Sequence, residues 1–358
     1  MSRRRLGSAV IVALVGVLIA LVYALRVLAP WGFDPTILVA LGEKSTLQTD
    51  YARRLLGDVV TRPESGHDGK FFFAQANDPL FLEPQEHAVV LDRPIYRGQR
   101  MLYPLIAGGG GLFSPSVVIW SLLVVNLLAF GAGAYATARL AMLAGGSPWL
   151  GLFFPLNIGM LGEIDIDGAG VLALAFGVTA IWFVYANRLV AAATALTGAI
   201  LAREVMLGMA VGLAIGVWDK RRQFKPWLVI PGVLVAAAWN LYLRSRVAEL
   251  PAVGDAREIA TYPFEGILQA IPAWFADGIT SVVIGFFILL LILGFTIRGL
   301  IDRSILAWAA LPFAALAAVL SVFVWLKPMD IARGVAPILT LYPVLLMLQW
   351  ARVRQPDQ

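Results

Sequence analysis

The 358-residue chain has no cysteine, so no disulfide framework, thiol nucleophile or thiolate metal site can operate in it. Histidine is almost as scarce: His67 and His87 are the only two, too few for a histidine-rich metal centre. Charge is thin as well, with Asp, Glu, Lys and Arg making up 14% of residues where soluble domains carry roughly a quarter. No P-loop and no glycine-rich dinucleotide fingerprint occurs, so no nucleotide cofactor is expected. The net charge of +5 does not mark a nucleic-acid partner, because most basic residues sit in short clusters beside apolar runs. No internal repeat pairs the two halves, which counts against the inverted-repeat transporters.

Apolar sequence is abundant: 59% of residues are hydrophobic and the mean hydropathy is +0.79. Runs of about 18 to 22 apolar residues recur, the length a helix needs to cross a bilayer. The expected fold is therefore an all-α polytopic membrane protein with about ten transmembrane helices. The first span covers residues 8–29 and follows Ser2-Arg3-Arg4-Arg5. It is too long for a signal-peptide core and lacks a clear cleavage site, so it reads as a retained anchor. Residues 30–115 form a long extracytoplasmic loop with short interfacial helices, and residues 116–351 form the rest of the bundle, with a second outer loop near 244–277. Both termini are expected in the cytoplasm of a bacterial plasma membrane, since the short inner loops carry Arg or Lys and the acid-rich segments fall outside. The stretch 189–218 has basic flanks on both sides yet is too short for two full spans. Two short helices meeting at Arg203-Glu204 reconcile its length with its charge.

Three constellations could carry chemistry. The first is Gly66-His67-Asp68-Gly69-Lys70-Phe71-Phe72-Phe73. Glycines on both sides of Asp68 suit close approach of the backbone to a ligand, and the aromatic run could begin a helix lying in the membrane interface. Partial desolvation there would raise the carboxyl pKa and make Asp68 a better general base, with His67 as a polar neighbour. Equally, Asp68 could simply cap the helix that starts near Lys70, which on spacing alone is the stronger reading.

The second is Asp92-Arg93-Pro94-Ile95-Tyr96-Arg97-Gly98-Gln99-Arg100-Met101-Leu102-Tyr103-Pro104. On a helix, Arg93, Arg97 and Arg100 would share one face, with Tyr96 and Tyr103 as a second stripe. Such an array either binds a phosphate or anchors among lipid headgroups. Arg333, near Lys327 and Asp330, is a further cation able to help hold a phosphate. The third is the acidic turn Glu163, Asp165 and Asp167, with Arg203 and Glu204 as partners at membrane depth. A solvated turn is the leading expectation for the acids. A divalent cation is conceivable there, but no fourth ligand is apparent, so no metal is expected.

Together these pieces resemble the GT-C class of membrane glycosyltransferases, which use polyprenyl-phosphate sugar donors. In that class the first outer loop carries an acid followed by aromatics, as Asp68 precedes Phe71, Phe72 and Phe73. A basic, proline-containing segment then leads into the next span, as Arg97 to Pro104 does. Leu201-Ala202-Arg203-Glu204 is similar to a short Arg/Lys-Glu element of the class, and Ala238-Trp239-Asn240-Leu241-Tyr242-Leu243-Arg244 to a segment of uncharacterised bacterial, mannosyltransferase-like relatives. Two departures stand out. Gly69 occupies the place where the class often has a second acid, and the chain is short, without a soluble C-terminal domain.

The resemblance implies transfer of a sugar from a polyprenyl-phosphate donor to a hydroxyl of an extracytoplasmic glycan, lipid or protein acceptor. Asp68 would be the base, and the arginines would hold the donor phosphate in a membrane-lipid setting. The competing expectations are a transporter or flippase of a lipid-linked cell-envelope intermediate, and a non-catalytic scaffold.

Overall fold

The computed structural model describes residues 3–247 and 259–354, and the described chain contains helices and turns but no β-strand. The first helix, α1 (Arg3–Leu28), is apolar and ends where Pro30 and the left-handed Gly32 turn the chain. The loop that follows folds into α2 (Thr46–Leu56), α3 (Gly69–Asn77), α4 (Pro84–Val90), α5 (Pro94–Gly98) and α6 (Leu102–Ala107). After it come α7 (Pro115–Leu143), α8 (Ile158–Ile164), α9 (Gly170–Tyr185), α10 (Leu189–Ala202), α11 (Met206–Arg221) and α12 (Ile230–Arg246). The chain closes with α13 (Glu265–Asp277), α14 (Ile279–Asp302), α15 (Ile305–Val319), α16 (Val322–Trp325), α17 (Pro328–Gly334) and α18 (Ala336–Arg354).

By length and composition, three described helices can cross a membrane: Leu6–Trp31, Pro115–Leu143 and Ile279–Asp302. A fourth is added if Pro328–Gly334 and Ala336–Trp350, bent by 68° at their junction, count as one broken span. The apolar helices α9, α10 and α15 are shorter. The 14 residues of α10 and the 16 of α11 reach only about 21 and 24 Å, short of a hydrocarbon core of about 30 Å. They meet at Arg203-Glu204, where the chain leaves helical geometry, as the charge and length of 189–218 require. Of the second loop expected at 244–277, residues 248–258 lie outside the described residues. The described part holds α13, anchored where the Trp274 indole donates to the Trp325 carbonyl at 2.7 Å.

The first loop departs from expectation in one respect. The aromatic run of α3 faces protein: Phe71, Phe72 and Phe73 are all buried, at 6%, 4% and 1% exposure. Tyr51 of α2 and Tyr103 of α6 meet Phe73 and Phe72 edge-on, so the run is the core of a folded loop rather than a lipid contact. Gly69 makes this packing possible. A Cβ there would lie 2.4 Å from the Ile166 carbonyl oxygen and 2.7 Å from that of Val39. No acidic side chain fits at this position without displacing that backbone.

Candidate functional site

The start of α3 is fixed by backbone rather than by a cap. Asp68 has helical backbone angles and its side chain makes no capping hydrogen bond. Its carbonyl accepts from Phe71 N–H at 2.9 Å, and its own N–H donates to His67 Nδ1 at 2.9 Å. The capping role expected from spacing is therefore replaced. The carboxylate turns instead toward Arg97, whose Nη1 donates to Oδ1 at 2.9 Å. Arg100 and Arg333 stand 4.0 and 3.9 Å from Oδ2.

The arginines do not share a helical face. Arg93 precedes the five-residue α5 with non-helical backbone, and Arg100 follows its end, because Pro94 starts a short helix that stops at Gly98. Tyr96 organises them instead. The guanidinium carbons of Arg93, Arg100 and Arg97 lie 4.3, 4.8 and 5.4 Å from its ring centre, a cation–π cluster. The Tyr96 hydroxyl accepts from Arg100 at 2.5 Å. Arg97 also lies 4.1 Å over the Phe71 ring.

Each converging arginine has a carboxylate of its own. Asp92 takes Arg97 through two bonds of 2.8 and 3.0 Å, and Glu204 takes Arg100 through two of 2.9 and 2.7 Å. Glu163 binds Arg333 at 2.8 Å and Arg203 at 3.4 Å, and accepts from Gly170 N–H at 2.9 Å. Asp330 binds Arg333 at 3.1 Å and faces His67 Nε2 at 3.3 Å. Four guanidiniums thus face five carboxylates. The arginines at 97, 100 and 333 are 8 to 11% exposed, while Asp68, Asp92, Glu204 and Asp330 are 24 to 31% exposed. Arg97, Arg100, Arg333 and the buried Glu163 form the floor, and Asp68, Asp92, Glu204 and Asp330 the rim. Among the described residues no group of three or more His, Asp or Glu is arranged to hold a metal.

This geometry reverses the expected effect on Asp68. Burial pushes its carboxyl up, but Arg97, His67, Arg333 and Arg100 outweigh burial and hold it far below the usual carboxylate range. Asp92 is likewise held low: burial opposes its charge, but bonding to Arg97 prevails. Burial also works against the charge on Arg97, and Asp92 and Asp68 more than offset it.

The acidic turn is not the solvated turn that the sequence suggested. Glu163 and Asp167 are buried at 1% and 0% exposure, and half-buried Asp165 accepts from Tyr23 at 3.0 Å. Both Asp167 oxygens lack a hydrogen-bond partner among the described residues. Burial pushes its carboxyl well above the usual range, only partly opposed by Arg62. Asp167 therefore keeps its proton more firmly when folded than when unfolded. Its contribution to stability is complete below about pH 4 and is lost as pH rises toward the folded value. Asp167→Asn is expected to gain roughly 1–3 kcal/mol over the wild type at pH 8, and little at pH 4. Denaturant unfolding at the two pH values checks this, and an equal difference at both would contradict it.

Tyr103 also has a structural role. It is fully buried, its hydroxyl donates to the Leu122 carbonyl at 3.0 Å, and it accepts from Asn126 at 2.9 Å. Tyr103→Phe is expected to cost about 1 kcal/mol of stability and leave activity within twofold of the wild type; a large loss of activity in a stable variant would restore it to the site. Asp92 and Asp330 escaped sequence reasoning as site residues. The i, i+3 spacing of Asp330 and Arg333 on one helix was the available signal for the latter.

An apolar groove of about 720 Å³ runs between α11, α13, α14 and α15, lined by Gly212, Ile267, Leu289, Leu293, Trp308 and Pro312 among others. Trp325 also lines it, three residues before α17, the helix that carries Asp330 and Arg333. Comparison of the chain with family models, with curated proteins and with solved structures finds no match.

Proposed function

We propose that this protein is a membrane glycosyltransferase of the GT-C kind, moving a sugar from a polyprenyl-phosphate donor to an acceptor hydroxyl. In this reading about ten helices cross a bacterial plasma membrane, the shorter ones as partial or tilted spans. The site faces outward and both termini face the cytoplasm, following the distribution of basic loops. One observation carries the reading: Arg97 and Arg100 of the first loop, and Arg333 from near the end of the described chain, converge on the single carboxylate of Asp68. The apolar groove that includes Trp325, three residues before α17, is the candidate place for the prenyl chain.

The acceptor oxygen bonds to the anomeric carbon while the bond from that carbon to the phosphate oxygen breaks. Asp68 takes the hydroxyl proton, and the polyprenyl phosphate leaves with the bonding pair. Arg97, Arg100 and Arg333 stabilise the charge that develops on the leaving phosphate. Because these guanidiniums already face carboxylates, the phosphate and Asp68 compete for them. Drawing the arginines onto the donor frees Asp68 as a base at the point where donor and acceptor are both bound. No cofactor takes part in this scheme.

The test is reconstitution of the purified protein in nanodiscs with a panel of labelled polyprenyl-phosphate sugars and a membrane-derived acceptor fraction. Label should move from lipid to acceptor with one donor of the panel, and failure to consume any donor would count against the proposal. The transporter or flippase reading draws on the same charge network, since paired arginines and carboxylates joining α5, α8, α11 and α17 could open and close as a gate. If Arg203→Ala stopped flux of a labelled lipid while Asp68→Asn did not, that reading would replace the first.

A further inference from the structure

A second basic site lies apart from the cluster around Asp68. The last turn of α1, the turns that follow it, and Arg62, Pro63 and Asp165 enclose a cleft of about 440 Å³. Tyr23, Arg26 and Trp31 line it on the α1 side. Arg26 is exposed and forms no ion pair among the described residues. Arg62 is held by backbone alone: its Nε and Nη2 donate to the Ile37 carbonyl at 3.3 and 3.0 Å, and Nη2 also donates to the Asp165 carbonyl. Asp165, the only carboxylate among the described residues that line the cleft, accepts from the Tyr23 hydroxyl. Two guanidiniums thus face one carboxylate, an excess that suits a monoanion.

The position along α1 identifies the kind of anion. Leu14, Leu18 and Val22 are exposed at 64, 56 and 57%, and with Arg26 they form a single i, i+4 ridge. This is an apolar track that ends in a cation. The membrane-crossing stretch Leu6–Trp31 is centred near Leu18, eight residues from Arg26, a rise of about 12 Å. That is a few Å short of half of a hydrocarbon core of about 30 Å, a distance that a long arginine side chain spans. The Arg26 guanidinium and the half-exposed Trp31 therefore reach headgroup depth, where arginine and indole side chains are favoured.

We propose that this cleft binds the phosphodiester of an anionic glycerophospholipid, with one acyl chain along the Leu14–Leu18–Val22 ridge. The guanidiniums of Arg26 and Arg62 bind the phosphate oxygens, Trp31 covers the glycerol region, and the charge of the lipid cancels the excess of the cleft. The site does not depend on the chemistry at Asp68.

The purified full-length protein in detergent is titrated with phosphatidylglycerol, and bound lipid is counted by native mass spectrometry. Arg26→Gln should weaken binding about fivefold or more, and Leu18→Ala, which leaves charge unchanged, should also weaken it. Arg54→Gln removes an exposed arginine paired with Glu86 elsewhere on the loop and should have no effect. Phosphatidylcholine should bind more weakly, and free glycerol phosphate should not displace the lipid. Equal retention by the wild type and Arg26→Gln would overturn the proposal. So would an equal loss in Arg54→Gln, which indicates general charge attraction, or displacement by glycerol phosphate, which indicates a phosphate site without an acyl track.

Discussion

If the protein is the proposed transferase, Asp68→Asn is expected to lower sugar transfer by about 10²- to 10⁴-fold, the range a positioned general base supplies. Asparagine keeps the shape of the side chain but cannot accept a proton from the acceptor. The variant should also bind polyprenyl phosphate several-fold more tightly than the wild type. In the wild type Asp68 occupies Arg97 at 2.9 Å and faces Arg100 and Arg333 at about 4 Å, so an incoming phosphate must displace it. Removing the negative charge removes that competition. Measuring binding and turnover on the same preparation separates a lost base from a lost fold: a misfolded variant would lose both. Transfer at the wild-type rate in a variant that still binds the lipid would rule Asp68 out as the base. The arginines that hold its carboxyl low keep Asp68 ionised in the free protein throughout neutral pH. Any acid limb in the rate profile must then belong to the donor-bound complex, after the phosphate has drawn the guanidiniums away.

Glu163→Ala should give the largest loss of stability at the site, about 3–5 kcal/mol, the usual cost of removing one partner from a buried ion pair. Glu163 is 1% exposed and binds Arg333, Arg203 and the Gly170 N–H together. Its removal leaves two guanidiniums near one another without the shared carboxylate, and a backbone donor at the start of α9 without its acceptor. The surroundings are shaped to this side chain. A Cβ at Gly168 would come within 1.8 Å of its Oε2, and one at Gly170 within 2.6 Å of its Oε1. Glu163→Gln, which retains acceptor oxygen and volume, should lose roughly half as much as alanine. Denaturant unfolding in detergent reads both variants. A loss below about 1 kcal/mol for Glu163→Ala would mean that Arg203 and Arg333 find other partners and that Glu163 does not join these segments.

The three or four helices that are long and apolar enough to cross a membrane among the described residues were legible because their signal is local. A run of about 20 apolar residues has little choice but a helix in lipid, and the breaks at Pro30 and at Arg203-Glu204 are written in the residues themselves. Asp68, Arg97 and Arg100 were legible as unusual polar groups in a fixed order. Their roles were not. The capping reading of Asp68 rested on spacing, and the backbone at the start of α3 satisfies itself without the side chain. The single arginine face assumed a helix that Pro94 and Gly98 cut to five residues. The solvated acidic turn assumed that a short loop of acids faces water, whereas Arg333 and Arg203 come from other segments to bury Glu163.

Residue type and order by themselves determined a helical chain with several helices long and apolar enough to cross a membrane, a long polar loop after the first of them, and a small set of charged residues in apolar surroundings. Only the tertiary structure decided which of those charges meet. Arg100 reaches Glu204 across 104 positions and Arg333 reaches Glu163 across 170. Pairing over such distances leaves no periodic trace in the sequence. It is set by which helix faces pack together, and a buried charge is stable only where that packing delivers its partner.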